Sequence, residues 1–396
     1  MPCNSALTFA NYNVVMKKRI VIIADAAYPS KMGGVEKWLH HLSSKFKDND
    51  YEVVYLNNLN QNVEINEVHY KSFKNKFRFD SMSYNRSFLS VLVYTFFVFK
   101  WLMLNSSSKD VIYVHQTPIL TVIVTRFVYI FKKFTVLTEW IEIWTLSNWK
   151  MELGKSKGIL GFILQNMALF FSHNVVTASQ NVFNSFRLKY PKRKLLLLSG
   201  QYFHKRSELN FNQILKLKEY SSYLIVSRLS KEKNVDLALQ LFAKIKSIHP
   251  SSHLSIVGSG LELQNLKKFV LENNLIDNVI FETNLSEIKL SSYYLKSKYL
   301  LHLSRREGFG LVVGEAASFG VIPILLRGSQ NESVNRCSNF GLVFDRFDLT
   351  FMTDQILNCD YDNFAKRAFE YFEENLEEQD VQTSSVQIMQ FANEIR

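Results

Sequence analysis

Short apolar runs alternate along the chain with longer segments whose apolar residues recur at the helical period. This pattern predicts parallel strands covered by helices on both faces. A first series reads as strand Arg19–Ala24, helix Gly34–Phe46, strand Glu52–Leu56, helix Phe88–Leu104, strand Val111–His115, helix Leu120–Phe131, strand Thr135–Thr138, helix Ile159–Phe171 and strand Asn174–Ala178, closing on Lys194–Leu198. A second series restarts with strand Tyr223–Ser227, helix Val235–Ile248, strand Leu254–Val257, helix Leu261–Asn273, strands Val279–Glu282 and Tyr299–Leu303, helix Leu311–Ser318 and strand Ile322–Leu326. Hydrophilic Tyr202–Glu219 separates the two series, and the acidic tail Phe364–Ile395 reads as terminal helices. The expected division is a first domain over residues 1–200, a linker over 201–220, a second domain over 221–365 and terminal helices over 366–396.

Phe88–Leu104 breaks the amphipathic pattern, because it is apolar all round and follows the basic cluster Lys74, Lys76, Arg78 and Arg86. Spanning a bilayer takes roughly 20 apolar residues, and Lys100 lies inside this shorter stretch. The first reading is therefore a sheet-covering helix, with partial embedding in a membrane interface as the second.

Charge sharpens the picture. The chain of 396 residues carries a net charge of +11. Residues 1–200 hold 25 Lys and Arg against 12 Asp and Glu, and residues 201–396 hold 22 against 24. A basic first half suits an anionic membrane surface. Nucleic acid is not expected as a partner, since no basic and aromatic recognition motif accompanies the charge. Cys3, Cys337 and Cys359 stand far apart, which suggests neither a disulfide framework nor a zinc site and fits a reducing cytoplasm. No secretory signal is read at the start: Lys17, Lys18 and Arg19 precede only a short apolar run, and the residues before it read as an unstructured leader.

Four segments carry candidate chemistry. Ser304 to Ala316 follows a strand and opens a helix, with Glu307 in the loop and Glu315 on the helix. Gly308 and Gly310 lack a Cβ and let an anionic ligand approach the backbone, while the two carboxylates can accept hydrogen bonds from sugar hydroxyls. Read alone, the pair also fits solvated carboxylates on an ordinary connection. Ser227 to Asn234 follows the strand Tyr223–Ser227, so Arg228 and Lys233 project where ligands of parallel sheets bind. Two fixed cations suit a departing diphosphate, and a surface charge run is the plain alternative. Gly33-Gly34-Val35-Glu36 and Val257-Gly258-Ser259-Gly260 each end a strand and could line a nucleotide pocket, or be simple turns. A nicotinamide fingerprint Gly-x-Gly-x-x-Gly is missing, which argues against a dehydrogenase.

In this order, Gly33-Gly34-Val35-Glu36, Ser227-Arg228-Leu229, Glu232-Lys233, Glu307-Gly308-Phe309-Gly310 and Glu315 resemble the retaining glycosyltransferases of family four, which have the α/β GT-B architecture of two Rossmann-like domains facing across a cleft. The resemblance implies that Glu307 touches the donor sugar and Glu315 the ribose, with Arg228 and Lys233 on the diphosphate. Gly33, Gly34, Gly258, Gly308, Phe309, Gly310 and Leu311 would close over the donor. It also implies a nucleotide-sugar donor, a glycan or polyprenyl-linked acceptor, no cofactor and no metal. His115 stands where the family often places a cleft histidine, as a catalytic or substrate-contacting residue, and a lone His after a strand also fits a structural role. Leu137 to Trp144 resembles a Thr-Trp-His-Glu-x-Trp element in which Ile141 replaces the histidine, leaving Glu139, Trp140, Glu142 and Trp144 as acceptor-side candidates, with buried packing the first reading for any one Trp. The terminal helices are expected to pack back toward the first domain. The implied role is cytoplasmic, peripheral on the inner face of the cell membrane, in bacterial surface polysaccharide synthesis. A non-catalytic partner of the same fold, kept open by Ile141, and a nucleotide-sugar epimerase are the alternatives.

Overall fold

Strand β1 (Arg19–Ile23) sends Ile20 and Ile22 to one face and Val21 and Ile23 to the other, and all four are fully buried. A parallel strand covered on both faces has no use for polar alternation, which is why it reads as an unbroken apolar run. The computed structural model describes residues 18–25, 33–58, 63–65, 68–72, 88–199, 209–328 and 330–396. The leader, the basic cluster Lys74 to Arg86 and the first part of the linker lie outside the described residues.

After β1 come α1 (Gly34–Asp48), β2 (Glu52–Asn57), β3 (Val63–Ile65), β4 (Val68–Ser72), α2 (Phe88–Asn105), β5 (Val111–His115), α3 (Ile119–Lys132), β6 (Thr135–Glu139), α4 (Leu146–Leu153), α5 (Lys155–Phe171), β7 (Asn174–Thr177), α6 (Gln180–Lys189) and β8 (Lys194–Leu197). The second half holds α7 (Phe211–Lys216), β9 (Ser222–Val226), α8 (Val235–Ile248), β10 (His253–Val257), α9 (Leu263–Glu272), β11 (Val279–Glu282), α10 (Glu287–Lys296), β12 (Tyr299–His302), β13 (Arg306–Glu307), α11 (Leu311–Ala317), β14 (Ile322–Leu326), β15 (Gln330–Asn331), α12 (Glu332–Cys337), β16 (Leu342–Phe344), α13 (Leu349–Leu357), α14 (Tyr361–Gln379) and α15 (Val381–Glu394).

Two parallel sheets result. The first runs β3-β4-β2-β1-β5-β6-β7-β8, with only β3 antiparallel, and the second runs β11-β10-β9-β12-β14-β16. In each the order grows outward from the first strand and then reverses, at β1/β5 and at β9/β12. That reversal makes a doubly wound sheet open a crevice at its carboxyl ends.

One core cluster joins α1 and the inner face of the first sheet to α11, α14 and α15, so it runs through both halves. The outer face of the first sheet is covered by α2, α3 and α5. The outer face of the second is covered by α8, α9 and α13.

Several elements go beyond the sequence pattern. Helix α7 forms within the hydrophilic stretch because Asn210 and Gln213 make a reciprocal capping box at its start. Its Phe211 packs on Phe369, with ring centroids 5.6 Å apart. The short helices α4, α6, α10, α12 and α13 are each started by an oxygen-bearing cap, Thr145, Ser179, Ser286, Asn331 and Asp348. Helix α15 lies against α1, where Asn49 donates to Ser385 at 3.3 Å.

Ile388 of α15 is fully buried in the core it shares with Leu39, Leu42 and Phe46 of α1. Ile388→Ala should therefore lower the unfolding free energy by about 2–5 kcal/mol in urea titrations. A loss under about 0.5 kcal/mol, typical of surface substitutions, would mean that α15 is not part of this core.

Candidate active site in the interdomain cleft

At the reversal of the second sheet, β9 leads into a short 3-10 turn over Lys231–Lys233 and β12 leads into the loop holding Glu307. Asn234, in the left-handed region at φ 49°, donates from its side chain to the Leu303 carbonyl at 3.0 Å, and Arg305 N–H donates to the Glu232 carbonyl at 2.9 Å. The two connections are thereby locked side by side, and Lys233 Nζ meets Glu307 Oε2 at 2.7 Å. His302, at the end of β12, stands 3.3 Å from the same oxygen. Arg228 sits at the rim, half exposed and 3.4 Å from Glu232.

Gly310 has φ 81°, and a Cβ there would collide with Ser333, so the loop turns tightly into α11. Phe309 is buried, with the Arg336 guanidinium 3.6 Å above its ring. Glu315 is buried and accepts from the Tyr294 hydroxyl at 2.8 Å. Gly258 follows β10 with its backbone against the Ser227 carbonyl. The hydroxyls of Ser227 and Ser333 are buried without a hydrogen-bond partner among the described residues.

The first domain faces this from its own reversal. Gly33 and Gly34 start α1, and a Cβ on Gly34 would stand 3.0 Å from the Leu311 side chain across the cleft. A Cβ on Gly308 would stand 3.0 Å from the Ile141 carbonyl. His115 ends β5 and is buried, its Nδ1 2.8 Å from Glu139 Oε2, while Trp38 Nε1 donates to Glu139 Oε1 at 2.8 Å. Trp140 is also buried, donating to Ser172 at 2.9 Å. Glu139 and Trp140 are therefore core residues rather than cleft walls. The reason is local: β6 continues through Glu139, and its alternating faces are both covered.

The loop after β6 does reach the cleft. Gln116 Oε1 accepts from the backbone N–H of Ile141 at 2.7 Å and of Glu142 at 3.1 Å, fixing that loop. Ile141, Glu142, Ser179, Asn181 and Ser185 line a narrow hollow of about 40 Å³ together with Glu307.

Arg306 and Glu332, not singled out by the sequence, close the cleft. Arg306 lies 3.9 Å over the Trp144 ring and 3.3 Å from Glu142 Oε2, which also accepts from Trp144 Nε1 at 2.6 Å. Glu332 accepts from Ser179 Oγ at 3.0 Å and Asn181 N–H at 3.2 Å. Arg306 stood inside the motif, but its partners lie in the other domain and only folding brings them together.

Residues 206–359 match the family model described as "Glycosyl transferases group 1". The GDP-mannose:cellobiosyl-diphosphopolyprenol alpha-mannosyltransferase of Xanthomonas campestris is 33% identical over 104 residues, 26% of this chain and 27% of that protein. The first curated relatives are aligned over a third or less of their own length, 31% and 27%. The sucrose-phosphate synthase of Thermosynechococcus elongatus superposes with a TM-score of 0.76 at 15% identity, covering 96% of this chain and 99% of that one. HepE of Anabaena, in complex with UDP and glucose, superposes with a TM-score of 0.67 at 16% identity, over 95% of this chain and 100% of that one. These likenesses establish the GT-B fold.

Burial pushes the Glu307 carboxyl up, but Lys233 and His302 beside it outweigh this and hold it well below the usual carboxylate range. A carboxyl with a depressed folded value adds stability that is complete above its unfolded value, about 4.3, and vanishes as pH falls through the folded one. Glu307→Gln should thus cost about 3 kcal/mol near pH 7, where it strands Lys233. Urea unfolding at a series of pH values should show this gap to the wild type narrowing below about pH 4. A gap independent of pH would mean that Glu307 is not ionised against Lys233.

Proposed function

We propose that the protein, whose residues 206–359 match the model described as "Glycosyl transferases group 1", moves a sugar from a nucleotide diphosphate to a glycan or polyprenyl-linked acceptor. Transfer proceeds with retention of anomeric configuration and without a metal. The observation that carries this reading is the meeting of Lys233 and Glu307 at the reversal of the second sheet, opposite Gly34 at the reversal of the first. The name of the Xanthomonas relative, which gives a nucleotide-sugar donor and a diphosphopolyprenol acceptor, supports the substrate classes.

The chemistry follows from charge. As the bond from the anomeric carbon to the diphosphate breaks, negative charge grows on the leaving oxygen. A lysine ammonium has three donors, so Lys233 can hold Glu307 with one and a phosphate oxygen with another. Arg228 supplies a second cation at the rim. Glu307, kept ionised, accepts from sugar hydroxyls, and Glu315, oriented by Tyr294, accepts from the ribose. The buried hydroxyls of Ser227 and Ser333 gain partners when the donor sits beside Gly258 and Gly310.

A front-face attack, in which a leaving phosphate oxygen takes the acceptor proton, needs no protein base. The wall opposite Glu307 is in keeping with that route: Ile141 is apolar and Glu142 is engaged by Arg306 and Trp144. Small-ligand pockets measure roughly 300–1,000 Å³. The hollow is far smaller, so the domains part to admit the donor and close on Arg306 and Glu332. The setting is the cytoplasmic face of a membrane, in the assembly of a surface glycan.

Hydrolysis across a panel of nucleotide sugars should identify the donor. Lys233→Ala and Glu307→Ala should each lower kcat/KM by about 10²–10³-fold, the usual effect of removing one stabilising group. EDTA should leave the rate unchanged, and NMR of the first-formed product should show the donor's anomeric configuration. Variants that match the wild type, or an inverted product, would end this reading.

A further inference from the structure

Helix α2 is mounted with its apolar side outward. It buries Ser90, Tyr94, Thr95, Val98 and Leu102 against the sheet, while Phe88 is 61% exposed and Phe96 66%. The Tyr94 hydroxyl lies between the carbonyls of Ala24, at 2.9 Å, and Leu56, at 2.7 Å, which fixes that orientation. The same inversion continues on its neighbours. Of the 26 large hydrophobic residues exposed among the described residues, five lie on α2, three on α3 and five on α5. The three helices pack in the order α2, α3, α5. Phe99 of α2 meets Phe127 of α3 at 6.3 Å, and Phe127 meets Phe131 at 5.5 Å, so the exposed rings form one patch rather than isolated residues. Contiguous exposed apolar surface of this kind marks an interaction site.

Charge identifies the partner. The three helices carry Lys100, Arg126, Lys132, Lys155 and Lys157 and not one Asp or Glu. An apolar layer set with cations alone matches an anionic lipid surface, which accepts the apolar side chains below the headgroups and the cations among them. A second copy of the chain would set these cations against their own kind. We propose that the outer layer of α2, α3 and α5 seats the protein on an anionic bilayer, lying in the interface without crossing it.

The surface is continuous with the cleft. On the flank of α5, beside its exposed Ile163 and Phe170, lies a second hollow of about 190 Å³ lined by Phe162, Leu169, Phe186 and Tyr190. It shares Ile143 and Ser185 with the hollow at Glu307. Given the transferase reading, on which this step alone rests, the lipid part of an acceptor passes from the bilayer along α5 to the sugar site.

Flotation tests the docking surface. The full chain should rise with vesicles containing phosphatidylglycerol and much less with pure phosphatidylcholine. Phe96→Glu, Phe131→Glu and Ile163→Glu should each weaken partitioning at least tenfold, and the pair Lys155→Gln with Lys157→Gln should do so on anionic vesicles. Thermal unfolding and lipid-free donor hydrolysis should match the wild type in all of them. Unchanged flotation of the variants overturns the proposal, as does a wild-type dimer in sedimentation that these substitutions dissociate and that does not float. Flotation without any donor hydrolysis would instead defeat the transferase reading and leave the docking surface standing.

Discussion

The reversal of strand order in each sheet governs the rest of the molecule. Parallel strands put all their carboxyl ends on one edge, and at β1/β5 and β9/β12 the connections leave in opposite directions, so nothing fills the space between them. Gly34 and His115 fall at the first opening, and Lys233 and Glu307 at the second. The domains then approach closely, since a Cβ on Gly34 or Gly308 would stand 3.0 Å from the Leu311 side chain or the Ile141 carbonyl. Two ordinary doubly wound domains thus become one site.

Closure of that site is held by polar contacts that water can replace. Arg306 spans to Trp144 and Glu142, and the carboxylate of Glu332, the first residue of α12, meets the start of α6, where the helix dipole and the Asn181 N–H favour it. Hydrogen bonds to charged groups contribute about 1.5–3 kcal/mol each. Separating these groups would return their hydration, so their net hold on the two halves is far less than the sum of the contacts. The shared apolar core through α14 and α15 joins the halves independently of them.

The alternation of strands and helices was legible in the sequence because strands buried on both faces, such as Tyr223 to Val226, are apolar without interruption. Short capped helices such as α6 and α12 were not, for six to ten residues hold too few turns to establish a period. Lys233, Glu307 and the glycines stand in the connections after strands, where the sequence pattern also put them. The position of Glu139 could not be read, since a polar residue at a strand end looks the same whether it faces the cleft or a buried partner. Only the chain Trp38, Glu139 and His115 decides it, and those residues come from three separate segments. His302 carried no signal either, as its role depends on the distance to Glu307.

The two walls of the cleft differ in kind. Lys233 and Glu307, which pair at 2.7 Å, lie in the second domain within the stretch matched by the family model. The opposing wall presents Ile141, Ile143 and Val182 beside Glu142 and Ser185. These residues come from the loop after β6 and from α6, so they form no contiguous motif. The inner face of α2 holds the polar Ser90, Tyr94 and Thr95, with the Tyr94 hydroxyl against the Ala24 and Leu56 carbonyls and Ser90 accepting from Asn58. Once that face turned inward, Phe88, Leu92 and Phe96 had to point away from the core.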